Sequence, residues 1–288
     1  AAAGDENGDA ALVLAVGTVP LPYYTLSFTV VCTHSDDVVY LAQCYPYTYT
    51  MLQDALAREL AAPSACACAR RELLCTSLGG HACDLITVAD FSAGDDELAR
   101  RRVAVISARV HPGETNASWI MQGLLETLTG DSADAVGLRN RVILKIVPML
   151  NPDGVVLGNY RCGLAGLDLN RQWADPSEEA APTIFHLKRL MRGYADAERL
   201  LLFADLHGHS RRHNIFAYGC EASKSALRGA ERVFPRLLAD CPHFSLPGCS
   251  YKVMKSKEST GRVVVWRQFA LPPSFTSQAS SCGARPPR

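Results

Sequence analysis

His111 and Glu114 stand three residues apart in the run His111-Pro112-Gly113-Glu114, and Asp205-Leu206-His207-Gly208-His209 follows about a hundred residues later. An imidazole and a carboxylate at that spacing can close on one metal ion when the backbone between them turns tightly, and proline and glycine are turn residues. His207 as a third ligand makes the set His2Glu. That set leaves one coordination position open for water, which separates a catalytic zinc site from a closed structural one. A histidine–glutamate pair on an open surface would mean nothing, so the elements that deliver these side chains decide the reading.

Those elements read as alternating strands and helices. Residues 103–110 are apolar and predict a buried strand whose end presents His111, and residues 118–128 predict a helix behind it. A second buried strand is expected over 142–150, running into a turn at Asn151-Pro152-Asp153-Gly154. Residues 182–194 predict a helix with proline in its first turn, where a missing N–H does least harm. Residues 200–206 predict a third strand ending at His207, and 215–218 and 263–266 read as strands completing the sheet. Open α/β sheets place their sites at the carboxyl ends of strands, which is where the candidate ligands fall. Upstream, residues 23–32 and 38–44 alternate polar and apolar around Thr33-His34-Ser35-Asp36-Asp37 and predict a hairpin. Residues 51–60 predict a helix with Leu52, Ala55, Leu56 and Leu60 on one face, and 61–69 a loop or helix junction.

The expected fold class is therefore α/β, with a central mixed, largely parallel sheet flanked by helices. Residues 1–44 are expected to be a flexible start plus remnant strands of an N-terminal β domain, and residues 45–288 a catalytic domain whose C-terminal part is incomplete or divergent. A chain of 288 residues with 48% hydrophobic and 20% charged residues can bury a large core. Lys+Arg and Asp+Glu balance at 29 each, which argues against a polyanion binder acting through overall charge. No apolar run approaches a membrane span and no charged-then-apolar signal opens the chain, so neither nucleic acid nor membrane is an expected partner. The 11 cysteines are odd in number and lie mostly in apolar stretches, as Cys44, Cys162 and Cys220 do; buried thiols in a reducing compartment are expected. Cys66, Cys68, Cys75 and Cys83 match no common zinc knuckle. A start without Met reads as a fragment of something longer.

Six motifs carry a resemblance: His111-Pro-Gly-Glu-Thr-Asn116, Asn151-Pro-Asp-Gly154, Asn159-Tyr-Arg161, Asp168-Leu-Asn-Arg171, Asp205-Leu-His-Gly-His-Ser210 and Lys255-Ser-Lys-Glu-Ser-Thr-Gly-Arg262. In this order they resemble the zinc carboxypeptidases, and within them the cytosolic branch that trims glutamates from tubulin, over roughly residues 23–282. The resemblance implies one zinc ion per chain held by His111, Glu114 and His207, with metal-activated water as nucleophile. It implies that Arg161 stabilises the oxyanion, where a fixed positive charge is a large catalytic effect. Asn170 and Arg171 would grip the substrate's terminal carboxylate, which a guanidinium matches as a fork. Arg262, ahead of Arg211, Arg212, Lys255 and Lys257, would read an acidic side chain. Polyglutamylated or acidic protein tails, tubulin's among them, are the implied partners, and the cytosol the implied compartment. Relatives also carry a β-sandwich ahead of the peptidase domain, of which residues 23–44 would be the last strands. His209 reads as a pocket or structural residue, and His34, His81, His186, His213 and His243 as surface or core histidines.

One departure stands out against that resemblance. Relatives end on a strand of the form Ser-Phe/Tyr-Thr-Leu-Glu whose glutamate is the general base; here the run is Ser274-Phe275-Thr276-Ser277-Gln278. Gln278 therefore stands at the base position. An amide has no titratable proton to take from water or give to a leaving amine, and losing positioned acid–base catalysis costs about 10²–10⁴-fold in rate. Pro272 and Pro273 stand where relatives approach this strand, and proline cannot donate to a ladder, so the stretch after Trp266 reads as degraded. Two function classes follow: a glutamate-removing zinc metallocarboxypeptidase, and a zinc-bound pseudoenzyme that binds acidic tails without cutting them. A third, an acyl-amino-acid deacylase sharing the metal core, is disfavoured by the motifs around 45–49 and 255–262.

Overall fold

The computed structural model describes residues 25–222 and 228–284. In chain order its elements are α1 (Tyr49–Leu60), α2 (Pro63–Cys68), β1 (Ala69–Thr76), β2 (Ala82–Val88), α3 (Asp95–Arg100), β3 (Arg102–Ala108), α4 (Thr115–Thr129), α5 (Ala133–Arg139) and β4 (Val142–Val147). There follow α6 (Pro152–Leu157), α7 (Pro182–Asp196), β5 (Leu200–His209), β6 (Ile215–Tyr218), α8 (Ala230–Leu238), α9 (Gly261–Gln268) and β7 (Ser274–Ser280). The strands form one sheet in the order β1-β2-β4-β3-β5-β7-β6. β4, β3, β5 and β7 run parallel at its centre, while β1, β2 and β6 pair antiparallel at its borders.

Side chains alternate along each strand, and both faces of this sheet are covered. Val103 and Val105 of β3, with Ile143 and Val147 of β4, enter one core beside Trp173, Ile184, Leu187, Met191, Val264 and Val265. Ile106 and Ala108 of β3, with Leu144 and Ile146 of β4, enter the other beside Leu52, Leu56, Met121 and Leu125. A sheet buried on both faces explains why these strands read as continuous apolar runs. Because β3 lies between β4 and β5, the chain leaves β3 toward one side of the sheet and returns at β5 on the other. Such a switch in strand order opens a crevice at the strands' carboxyl ends, and His111 and His207 stand there.

Several expectations are corrected. The hairpin over 23–44 is absent among the described residues: 25–44 contain no strand, and Leu26, Phe28, Val31, Tyr40 and Leu41 are exposed. Tyr23 and Tyr24 lie outside the described residues. A two-stranded ribbon is marginal without a surface to cover its apolar side, and residues 25–43 are exposed throughout. Residues 263–266 belong to α9, not to a strand. Val263, Val264 and Val265 are buried one after another because the helix is walled in by the sheet and Trp173, so their β-branched run signals burial rather than extension. The Asn151-Pro-Asp-Gly run caps and begins α6, with the Asn151 Oδ1 accepting from Gly154 N at 3.0 Å. Finally, within the stretch after Trp266, Ser274–Ser280 form a strand. Pro273 sits just ahead of β7 and offers its carbonyl to Phe203 N, and β7 runs between β5 and β6 as an interior strand. Strands β1 and β2 were not anticipated. Of the three thiols expected to be buried only Cys220 is; Cys44 and Cys162 are half-buried.

Arg109, the residue two before His111, has a left-handed backbone (φ 58°) and is 3% exposed. Its guanidinium donates to Pro112 O at 2.7 Å, Ser118 Oγ at 2.8 Å and Tyr47 O at 3.0 Å, tying the strand end, the turn, α4 and the chain ahead of α1 together. Burial lowers its pKa to about 10, still charged at neutral pH. Arg109→Met should lower stability by at least about 1–3 kcal/mol, because acceptors cut off from water lose their donor; denaturant midpoints of the two proteins check this.

Candidate metal centre and its cleft

Glu114 closes the turn that follows β3 and forms the N-cap of α4, where the helix's positive end favours a carboxylate. Its Oε1 lies 2.7 Å from His111 Nδ1 and its Oε2 3.0 Å from His207 Nδ1. Ligand atoms from the three residues all lie within 4.8 Å of one another, the one such group among the described residues. The outer nitrogens of both rings are held as well: His111 Nε2 faces Asp168 Oδ1 at 3.2 Å, and His207 Nε2 faces Asp205 Oδ2 at 2.7 Å. Asp205 in turn accepts from Ser107 Oγ at 2.7 Å. Each imidazole is thus braced by a carboxylate on one nitrogen and turned toward a common point with the other, the arrangement that fixes tautomer and orientation in a metal-binding histidine. Two nitrogens and a carboxylate oxygen suit zinc.

Two glycines make this convergence possible. A Cβ on Gly113 would lie 2.5 Å from Tyr160 Cδ2, and Gly113 N donates to Tyr160 O at 2.7 Å, so glycine lets the 160 loop lie against the turn. A Cβ on Gly208 would strike Asn116 and lie 3.0 Å from Glu114 Cβ, while Gly208 N donates to Glu114 Oε2 at 2.8 Å.

The electrostatics follow from burial and pairing. Burial alone would raise the Glu114 pKa, but the two imidazoles outweigh it and hold the carboxyl well below its usual range. Burial alone would lower His207; Asp205 and Glu114 outweigh it and pull the imidazole up to about 10. His111 shifts upward in the same way through Glu114 and Asp168. Asp168 is held well below the usual carboxylate range by His111, Arg161 and Arg171 against the effect of its burial.

Asp168 is the hub of the other half of the site. Besides His111 it accepts from Arg161 Nε at 2.9 Å and lies 3.7 Å from Arg171 Nη1, and its Oδ1 caps the turn at Asn170 N. Asn170 is buried, with Oδ1 accepting from Gly261 N at 3.1 Å and Nδ2 3.5 Å from His207 Nε2. Arg161 lines a cleft together with Glu114, Gly113, Gly208, His209, Gln43 and Cys44. Gln278 is buried directly beside His207 in the β5–β7 register, and no described group bonds its Oε1. Asn116 Nδ2 donates to Ala279 O at 2.6 Å, fixing β7 against α4 next to that position. Arg262 is buried on α9 with its guanidinium 5.2 Å from the Tyr218 ring centroid. His209 Nδ1 accepts from Arg211 N and Arg212 N, so the ring also braces a turn. The sequence reading assigned no role to Asp168, Asp205, Asn116 or Arg109. Both aspartates sat in quoted motifs, and for Asp205 its place two residues before the candidate ligand His207 was the available signal.

A sheet with a topological switch, carrying a braced His2Glu cluster at its carboxyl edge, has the architecture of the zinc carboxypeptidase class. The family model for zinc carboxypeptidase matches residues 69–232, more than half of the chain, and the chain belongs to that family. It is 44% identical over 281 residues to cytosolic carboxypeptidase 1 of Danio rerio, covering 91% of this chain and 24% of that protein. It is 42% identical over 268 residues to cytosolic carboxypeptidase 3 of Mus musculus, covering 91% of this chain and 26% of that one. The chain thus spans about a quarter of the length of these curated relatives. Among solved structures it superposes on a metallo-carboxypeptidase from Burkholderia cenocepacia with a TM-score of 0.70 and 26% identity, over 82% of this chain and 61% of that one. A Pseudomonas aeruginosa metallo-carboxypeptidase in complex with (2-guanidinoethylmercapto)succinic acid gives 0.69 and 26%, over 82% and 60%. No described helix is long and apolar enough to cross a membrane.

Proposed function

We propose that this chain is a zinc-dependent metallocarboxypeptidase domain of the cytosolic type, which removes C-terminal or side-chain-linked glutamates from acidic protein tails such as those of tubulin, in the cytoplasm. The observation that carries this reading is the convergence of His111, Glu114 and His207, with Asp168 tying that cluster to Arg161 and Arg171. Zinc, when bound, supplies a Lewis-acidic centre that lowers the pKa of water toward ~7. The protein's own part is to hold the donors, orient both imidazoles through Asp168 and Asp205, and keep a guanidinium beside Glu114. In this reading Arg161, which lines the cleft with Glu114, meets negative charge developing at a substrate carbonyl. Asn170 and Arg171 offer an amide and a guanidinium to the substrate's terminal carboxylate, and Arg262 supplies positive charge for an acidic side chain. One zinc per chain and acidic tails as partners follow from this assignment. The names of the relatives support the cytoplasmic location.

The second reading, a zinc-bound receptor that holds acidic tails without cutting them, is favoured by Gln278. Its amide can hydrogen-bond a water beside His207 but cannot take the proton from it. Zinc-loaded protein should bind a peptide ending in consecutive glutamates more tightly than one ending in lysine or leucine, measured by calorimetry, with free glutamate and zinc assayed on the same sample. Equal affinity for the three peptides would overturn the acidic specificity. Arg171→Met should weaken binding of the glutamate peptide by about 10–100-fold, in line with about 1.5–3 kcal/mol for hydrogen bonds to a charged group; an unchanged affinity would remove Arg171 from the carboxylate site.

A further inference from the structure

Away from the metal centre, two cysteines face each other across a strand pair. Cys75 of β1 and Cys83 of β2 are register partners in the antiparallel ladder that flanks the turn at residues 77–81. Directly opposed residues in such a ladder have Cα atoms about 4.5 or 5.5 Å apart, and a disulfide needs about 4.4–6.8 Å. The register is irregular between Leu73 and Cys75, and β1 is the border strand of the sheet. The two thiols lie within hydrogen-bonding reach of each other; that contact lowers the pKa of Cys75 and raises that of Cys83, which burial raises further. Cys83 is fully buried and also directs its thiol to Met149 O, at 3.5 Å, whereas Cys75 keeps 8% of its surface exposed. Among the described residues no other two cysteines are partners in a strand ladder. Nothing in the carboxypeptidase chemistry uses either sulfur.

We propose that Cys75 and Cys83 form a reversible thiol–disulfide pair, oxidised to a cross-strand disulfide by a small-molecule disulfide such as glutathione disulfide. The Cys75 thiolate attacks one sulfur of glutathione disulfide, forming a mixed disulfide and releasing one glutathione thiolate. The Cys83 thiolate then attacks the Cys75 sulfur, closing the Cys75–Cys83 bond and releasing the second glutathione. The two cysteines lose two electrons, the glutathione disulfide gains them, and the two cysteine protons end on the two glutathiones. The more exposed, lower-pKa thiol is the one placed to react first. The bond clamps both ends of the turn that grips Asp153 through Ser77 Oγ (2.5 Å), Gly79 N (3.0 Å) and His81 Nδ1 (2.8 Å). Two residues earlier, Asn151 Nδ2 donates to Val110 O beside His111, so two hydrogen-bonded steps, through Asp153 and Asn151, link the clamp to the turn at His111.

The full chain, reduced and then equilibrated with glutathione disulfide, is acid-quenched, unfolded, alkylated, digested and mapped by mass spectrometry. The expected result is a linked Cys75–Cys83 peptide lighter by two hydrogens, with both cysteines protected from alkylation until dithiothreitol is added. The Tm of the oxidised chain should rise relative to the reduced one. In Cys83→Ala, glutathione should remain attached to Cys75 because the resolving thiol is gone. The proposal is overturned if Cys75 and Cys83 are alkylated as fully as in the reduced sample. It is equally overturned if wild-type Cys75 stops at the mixed disulfide, or if oxidation yields linkages only among exposed Cys32, Cys66, Cys241 and Cys282. The wild-type map decides even if Cys83→Ala does not fold.

Discussion

Gln278→Glu raises the rate of glutamate release from an acidic peptide by about 10²–10⁴-fold, the usual worth of a positioned acid–base group, while zinc content stays the same. The geometry makes this the substitution with the largest expected gain. β7 holds the side chain in register with His207, and the strand is fixed by its ladders to β5 and β6 and by Asn116 Nδ2 on Ala279 O. The exchange keeps shape and length, so the new carboxylate inherits the place of an amide whose Oε1 is buried and lacks a described partner. Burial pushes a carboxyl pKa upward, toward the range in which a general base works best at neutral pH. Some loss of stability should accompany the gain, because another carboxyl enters a buried site that already holds Asp205 against His207. The comparison is made with equal zinc on both proteins. If the unaltered chain already releases glutamate as fast as Gln278→Glu, the base is a different group, and the receptor reading falls with that result.

His207→Ala abolishes stoichiometric zinc binding, and Asp205→Asn weakens it by about 10–100-fold, the usual effect of removing the carboxylate behind a metal-binding histidine. Both follow from one geometric fact, a ring held between Glu114 at 3.0 Å and Asp205 at 2.7 Å. The same fact sets the pH dependence. In the metal-free protein the His207 pKa is raised from 6.5 to about 10. Its protonated form therefore contributes stability that is fully present below pH 6.5 and is lost as pH rises through about 10. Zinc requires the neutral ring, so proton and metal compete, and apparent zinc affinity should climb across that window. Titration against a chromophoric chelator at several pH values checks both statements. In Asp205→Asn the affinity should rise at lower pH, because the charge that retains the proton is gone. A His207→Ala protein that still carries one zinc per chain would remove His207 from the ligand set.

Arg109 and the β1–β2 border show where reading by pattern stopped. Nothing about an arginine after a strand signals a left-handed backbone and three buried acceptors; those belong to Pro112, Ser118 and Tyr47, and only folding brings Tyr47 to the turn. β1 escaped because it is exposed from Arg70 to Leu73 and carries Arg70, Arg71 and Glu72 in its first half, leaving only a short apolar run. Residues 263–266 erred in the other direction: three buried valines look extended, yet they belong to a helix enclosed by the sheet and Trp173. Local propensity is a weak prior, and tertiary packing overrides it.

The sequence by itself determined the parts that local chemistry specifies: the turn-forming His111-Pro-Gly-Glu114, the buried strands that lead to His111 and carry His207, and the ordered motifs of the family. Only the tertiary structure decided that Asp168 serves His111, Arg161 and Arg171 at once, that Asp205 braces His207, and that Gln278 lies beside His207 on an interior strand. The division has one cause. A turn or a strand is written in residues a few positions apart, whereas Asp168 and His111, or Gln278 and His207, become neighbours only when strand order β3-β5-β7 lays distant segments side by side.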